Sequence, residues 1–132
     1  MIADLDCRII REVKKRVCSL KSPQKCSRLK TAKVECGKDW KSYLKYDSPK
    51  TLFYLDPPYE DRSYKAADYN PKKIKLDDVL KGVKGLKGKV VLSYSAKPEF
   101  RKKICGQAKF KCKTLKLNAY SHWTKELLAI KD

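Results

Sequence analysis

Hydrophobic positions fall into two kinds of pattern along this chain. Ile9, Ile10, Val13, Val17 and Leu20 recur at helical spacing with cations filling the other face, so DCRIIREVKKRVCSL predicts an amphipathic helix, fed by MIADLD as the tail of a strand. Leu76, Val79, Leu80, Val83 and Leu86 draw a second helical face over KLDDVLKGVKGL, weakened by two glycines. Strand character appears in AKVECG, in TLFYLD, in GKVVLSYS, in the alternating FKCKTLKL and in the closing TKELLAI. Pro57 forces Asp56 away from helical dihedrals and ends the TLFYLD run. KPEFRKKICG predicts a short helix with a glycine stop, and KDWKSYLKY one or two helical turns. KSPQKCSRLKT and the tyrosine-rich PPYEDRSYKAADYNPKK read as loops.

Strands and helices in this alternation describe an α/β open sheet, with the last two strands close enough in sequence to pair antiparallel. The length of 132 residues suits one domain spanning residues 1–132. Ligands of such sheets bind beyond the carboxyl ends of the strands, where Asp4, Asp6, Gly37, Asp56, Ser93 and Ser95 all fall.

Charge narrows the choice of partner. Thirty-three Lys and Arg against 15 Asp and Glu leave a formal charge of +18. Lys-rich thermophile surfaces usually balance the two signs, so an excess of this size points to a polyanion, and nucleic acid is the natural one. No apolar run is long enough to span a bilayer, and the N-terminus acquires acids where a secretory signal needs cations, which predicts an intracellular, cytoplasmic protein without a membrane partner. Six cysteines without a C-x-x-C pair, and a single histidine, argue against a metal site and leave buried thiols and disulfides both open.

The stretch LDPPYE carries the chemistry. An exocyclic amine on a nucleobase is a poor nucleophile because its lone pair is delocalised into the ring. Two acceptors converging on its hydrogens draw the nitrogen toward tetrahedral geometry: the Asp56 carboxylate and the backbone carbonyl of Pro57. Pro57 and Pro58 fix the backbone that holds both. Tyr59 then offers a flat face on which an extruded base can stack.

LDPPYE at a strand end resembles the catalytic motif of the S-adenosylmethionine-dependent amino-methyltransferases, and most closely the Dam-like adenine-specific DNA methyltransferases. MIADLDCRII is similar to that family's second cofactor segment, which implies Asp4, with Asp6 close behind, on the ribose hydroxyls. AKVECGKDW is similar to the third, beside the cofactor's adenine, which implies Cys36, Gly37 and Asp39; Lys38 stands where relatives often carry an acid, and Asp39 would substitute for it. GKVVLSYSAKPEFRKKI and SHWTKELLAI resemble the strand and helix after the catalytic loop and the closing acid-Leu-Leu strand. The resemblance implies a Rossmann-like methyltransferase sheet, mostly parallel with an antiparallel C-terminal strand, S-adenosylmethionine as cofactor, and methyl transfer to the exocyclic amine of adenine in DNA, with RNA as the other nucleic acid. Tyr64 and Tyr69 resemble aromatic positions that close over the target base, and with Arg62, Lys65, Lys72 and Lys73 they also suit a stacking surface for single strands.

None of the five glycines forms the glycine-rich turn with which the family opens, and only about fifteen residues separate ECG from Asp56, where relatives carry a target-recognition insert. The expectation is an N-terminally truncated sheet: a minimal or split enzyme completed by a second polypeptide or a second copy. The alternative is a catalytically inactive, basic nucleic-acid-binding protein on the same scaffold. His122 beside Trp123, and the Ser93 and Ser95 pair, carry no assigned role.

Overall fold

The computed structural model describes residues 39–60, 74–119 and 122–132. The described residues from Trp40 onward belong to one compact unit. The strands and helix expected in MIADLD, DCRIIREVKKRVCSL and AKVECG lie outside the described residues, as does the loop from 61 to 73.

A 3-10 helix, Trp40–Tyr46, leads into β1 (Leu52–Leu55), which is followed by α1 (Leu76–Val83) and β2 (Lys89–Ser95). Next come α2 (Pro98–Arg101), running on as π-helical turns over Lys102–Gln107, and the hairpin of β3 (Lys111–Ala119) and β4 (His122–Lys131). The four strands form one sheet in the order β1-β2-β4-β3. β1 pairs parallel with β2, and β4 pairs antiparallel with both β2 and β3. Three strands therefore point one way, and β4 runs against them from between β2 and β3. The last two strands pair antiparallel, as their closeness in sequence predicts.

One face of the sheet holds the core. Phe53 and Leu55 of β1, Val90, Leu92 and Tyr94 of β2, and Leu127 and Ala129 of β4 are buried there, in one cluster with Leu76, Val79 and Val83 of α1 and with Phe100 and Ile104. Successive strand side chains alternate between faces, so Leu52 and Tyr54 turn outward and are exposed. The helical spacing read from the sequence thus names the buried face of α1 correctly, although the helix ends at Val83 and leaves Leu86 half-buried beyond it.

Two polar devices close the bottom of the sheet. The Asp47 carboxylate accepts the backbone N–H groups of Lys87 (2.9 Å) and Gly88 (2.8 Å), ordering the approach to β2. Gly88 is required there, since a Cβ would come 2.6 Å from the carbonyl oxygen of Thr51. Lys131 donates from Nζ to the carbonyl oxygens of Val83 (3.0 Å) and Lys84 (2.9 Å), placing a cation at the carboxyl end of α1.

The glycine stop expected at Gly106 is not where the second helix ends. The turns continue to Gln107, and the chain reverses at Lys109, which takes φ 61°, while the Phe110 N–H returns to the Ile104 carbonyl at 3.1 Å. Cys105 and Cys112 form a disulfide across this reversal, which settles for that pair the choice between thiol and bridge. No helix among the described residues is long and apolar enough to cross a membrane.

Candidate active site

β1 ends at Leu55, so Asp56 is the first residue past the carboxyl end of the strand, with its side chain exposed. The parallel partner β2 ends at the same edge with Ser93 and Ser95, both buried. β4 passes this edge in the opposite direction, placing Glu126 directly across from Ser95. Residues opposite one another in an antiparallel pair share a face, and diagonal neighbours two residues on are within reach of long side chains. Glu126 therefore reaches Ser93.

From Asp56 to Glu60 the backbone has neither helix nor strand pairing, and two of its residues are prolines without an N–H. Side chains hold it instead. The Tyr59 hydroxyl donates to Glu126 Oε1, as does the Ser93 hydroxyl, and the two hydroxyl oxygens lie 3.2 Å apart. Burial pushes the Tyr59 phenol well above its ordinary value, and the hydrogen bond to Glu126 adds to the rise, so the hydroxyl keeps its proton and remains a donor. The Tyr59 ring is 5% exposed and lies 4.9 Å from that of Tyr94, which in turn meets Phe100 edge-on at 5.0 Å. Glu60 continues the anchorage: its N–H donates to the Tyr94 hydroxyl at 3.2 Å, and its carboxylate accepts the N–H of Leu76 in the first turn of α1.

Beside the turn opens a pocket lined by Trp40, Leu55, Asp56, Pro57, Pro58, Ile74 and Val79. It is a shallow depression, part of it open to solvent. Its walls are apolar apart from Asp56.

Of the residues expected from the sequence, the structure thus gathers Asp56, Pro57, Pro58 and Tyr59 at the sheet edge, with Ser93 and Ser95 beside them. Asp39 is exposed just ahead of the 3-10 helix. Asp4, Asp6, Cys36 and Gly37, and the loop residues Arg62, Tyr64, Lys65, Tyr69, Lys72 and Lys73, lie outside the described residues. Sequence reasoning missed Trp40 as a pocket wall, Tyr94 as a support and Glu126 as an acceptor. Only Glu126 left a signal: an acid opening the apolar run ELLAI has to find a donor when the strand is buried. Among the described residues no cluster of His, Cys, Asp or Glu could hold a metal ion.

The described residues thus form an α/β sheet that sets a carboxylate, Asp56, on a proline-bearing turn just past the carboxyl end of β1. A family model described as D12 class N6 adenine-specific DNA methyltransferase matches residues 19–120, and the chain belongs to this family. Membership makes it a methyltransferase by family, with adenine in DNA as the family's named target, and the matched span includes the whole turn from Asp56 to Glu60. No curated protein matches the chain.

Proposed function

We propose that the chain transfers a methyl group from S-adenosylmethionine to the exocyclic amine of adenine in DNA, with Asp56 and the Pro57 carbonyl as the amine's two acceptors. The observation that carries this reading is the position of Asp56: exposed, at the carboxyl end of β1, on a turn anchored to both the sheet and α1. Each acceptor takes one amine hydrogen and so localises the nitrogen lone pair toward the incoming methyl. Positioning and charge complementarity are the protein's contribution. S-adenosylmethionine supplies the electrophilic methyl when bound.

Trp40, Pro57 and Pro58 would pack against the cofactor's adenine, in line with the resemblance of AKVECGKDW to a segment beside that ring. Asp4 and Asp6 would take the ribose, and Cys36, Gly37 and Asp39 the adenine side. The base-stacking role expected of Tyr59 does not fit its place here: the residue is 5% exposed, packed against Tyr94 and hydrogen-bonded to Glu126, which supports an anchoring role instead. Arg62, Tyr64, Lys65, Tyr69, Lys72 and Lys73 follow the turn and would meet the strand around the target. The charge of +18 supports a DNA partner and a binding strength that falls steeply with salt.

The sheet order also fits a Rossmann-like methyltransferase, in which a final antiparallel strand inserts beside a parallel set. Among the described residues β1 pairs only with β2. Its other edge would take a further strand, from this chain's first residues, from a second polypeptide or from a second copy.

Calorimetric titration with S-adenosylmethionine, with and without a DNA oligonucleotide, tests the reading. Micromolar cofactor binding is expected. Tight, salt-sensitive DNA association without any cofactor binding would overturn it in favour of a catalytically inactive nucleic-acid-binding protein.

A further inference from the structure

Polarising an amine demands acceptors held to a fraction of an ångström, yet the turn that carries Asp56 and Pro57 has no ladder to hold it. Its anchors are side chains, and the one that ties it to the sheet is Tyr59, whose hydroxyl donates to Glu126. Glu126, the acceptor of that bond, sits on β4, which is paired on both sides, with Ser95 opposite on β2 and Leu115 opposite on β3. Packing does not call for a carboxylate at this half-buried position, where desolvation penalises the charge unless donors meet it. Two donors do, the hydroxyls of Tyr59 and Ser93, on the same oxygen.

We infer that Glu126 is a positioning residue of the methyltransferase: by accepting from Tyr59 and Ser93 it fixes the Asp56–Tyr59 turn to the centre of the sheet and so sets the aim of the two acceptors. The inference rests on the functional reading above and deepens it. Glu126 acts through Tyr59, whose ring packs against Tyr94 while its hydroxyl donates to the carboxylate. The hydroxyl of Tyr59 therefore carries a role separate from any contact its ring makes with a base. Ser93 completes the arrangement, since its hydroxyl would otherwise be a buried donor without a charged acceptor.

Tyr59→Phe keeps the ring and removes the hydroxyl; Glu126→Gln keeps the shape and removes the charge. Steady-state methylation of a DNA oligonucleotide and amide hydrogen exchange at Glu60 are measured for the wild-type chain, both variants and the double variant. The expected result is kcat lowered by about tenfold to a hundredfold in each single variant, with KM for DNA and cofactor unchanged within about threefold, and faster exchange at Glu60. The double variant should be no slower than the worse single one, because both changes act on the same Tyr59–Glu126 contact, one by removing the donor and the other by removing the acceptor's charge. Unchanged kcat and unchanged exchange, or additive losses in the double variant, would overturn the inference. Should either variant fail to fold, Ser93→Ala, which removes only one donor, is read by the same two measurements. If the wild-type chain binds cofactor and DNA but transfers no methyl, it is the functional reading that fails. Exchange at Glu60 then still decides whether Glu126 anchors the turn.

Discussion

The indole of Trp40 occupies the space that any side chain at Gly82 would need: a Cβ there would come 2.5 Å from Trp40 Cη2. Glycine inside a helix costs about 1 kcal/mol relative to alanine, and in α1 that cost is offset by letting the indole edge approach the helix backbone, with Trp40 also lining the pocket. Gly82→Ala should therefore destabilise the protein despite its better helix propensity. Overpacking typically costs about 1–3 kcal/mol, which leaves a net loss on the order of 1 kcal/mol in urea unfolding. The displaced ring should also shift the Trp40 emission, followed in a Trp123→Phe background. An increase in stability would mean that Trp40 yields freely and does not define the pocket wall.

Asp47 links stability to pH. Its pKa is lowered chiefly by the backbone N–H of Lys87, with help from that of Gly88 and from the nearby Lys87 and Lys131 charges, against a smaller desolvation effect. A carboxylate whose folded value lies below its unfolded one stabilises the fold above the unfolded value, 3.8, and loses that contribution as pH falls through the folded value. Asp47→Ala should thus lower the urea midpoint at pH 7, and the gap to the wild-type protein should close as pH drops below about 4. A gap that persists at pH 2 would place the effect in packing, outside the carboxylate.

Much of this architecture is legible in the sequence because the signals are local. TLFYLD and GKVVLSYS carry β-branched and aromatic runs, α1 carries a helical apolar face, and Pro57 marks the end of β1 whatever surrounds it. The end of the second helix was not legible. Gly106 is the obvious stop, yet the reversal falls on Lys109, a residue with no preference for positive φ, in a loop closed by the Cys105–Cys112 disulfide and the Phe110–Ile104 hydrogen bond. The support of the site was hidden for a different reason. Glu126 and Tyr59 are far apart in the chain and meet only because β4 inserts beside β2, so the role of an acid in ELLAI depends on sheet order, which no local pattern encodes.

The Cys105–Cys112 disulfide closes a loop with a sequence separation of 7. Chain-entropy arguments give a loop of this size about 2.5 kcal/mol as a ceiling on its stabilisation. Cys105→Ser with Cys112→Ser should lower the melting temperature and leave dithiothreitol without further effect through this pair. A double variant as stable as the oxidised wild-type protein would show that the Lys109 reversal is held by its hydrogen bonds alone.

Asp56 is the residue on which the functional reading stands. Its carboxylate is exposed at the pocket rim, and the turn is anchored through Tyr59 and Glu60, so a melting curve checks that the fold survives its replacement. Asp56→Ala removes one of two acceptors aimed at the target amine. Loss of a preorganised partner for charge that develops in the transition state typically costs a hundredfold or more in rate, about 2.7 kcal/mol. Methyl transfer at saturating cofactor and DNA should therefore fall by at least that factor, with an unchanged melting curve and S-adenosylmethionine affinity within a few-fold of wild type. Asp56→Asn should retain part of the rate, since its amide oxygen still accepts while the charge is gone. Full activity in Asp56→Ala would remove this carboxylate from the chemistry and, with it, the assignment of the proline turn as the catalytic element.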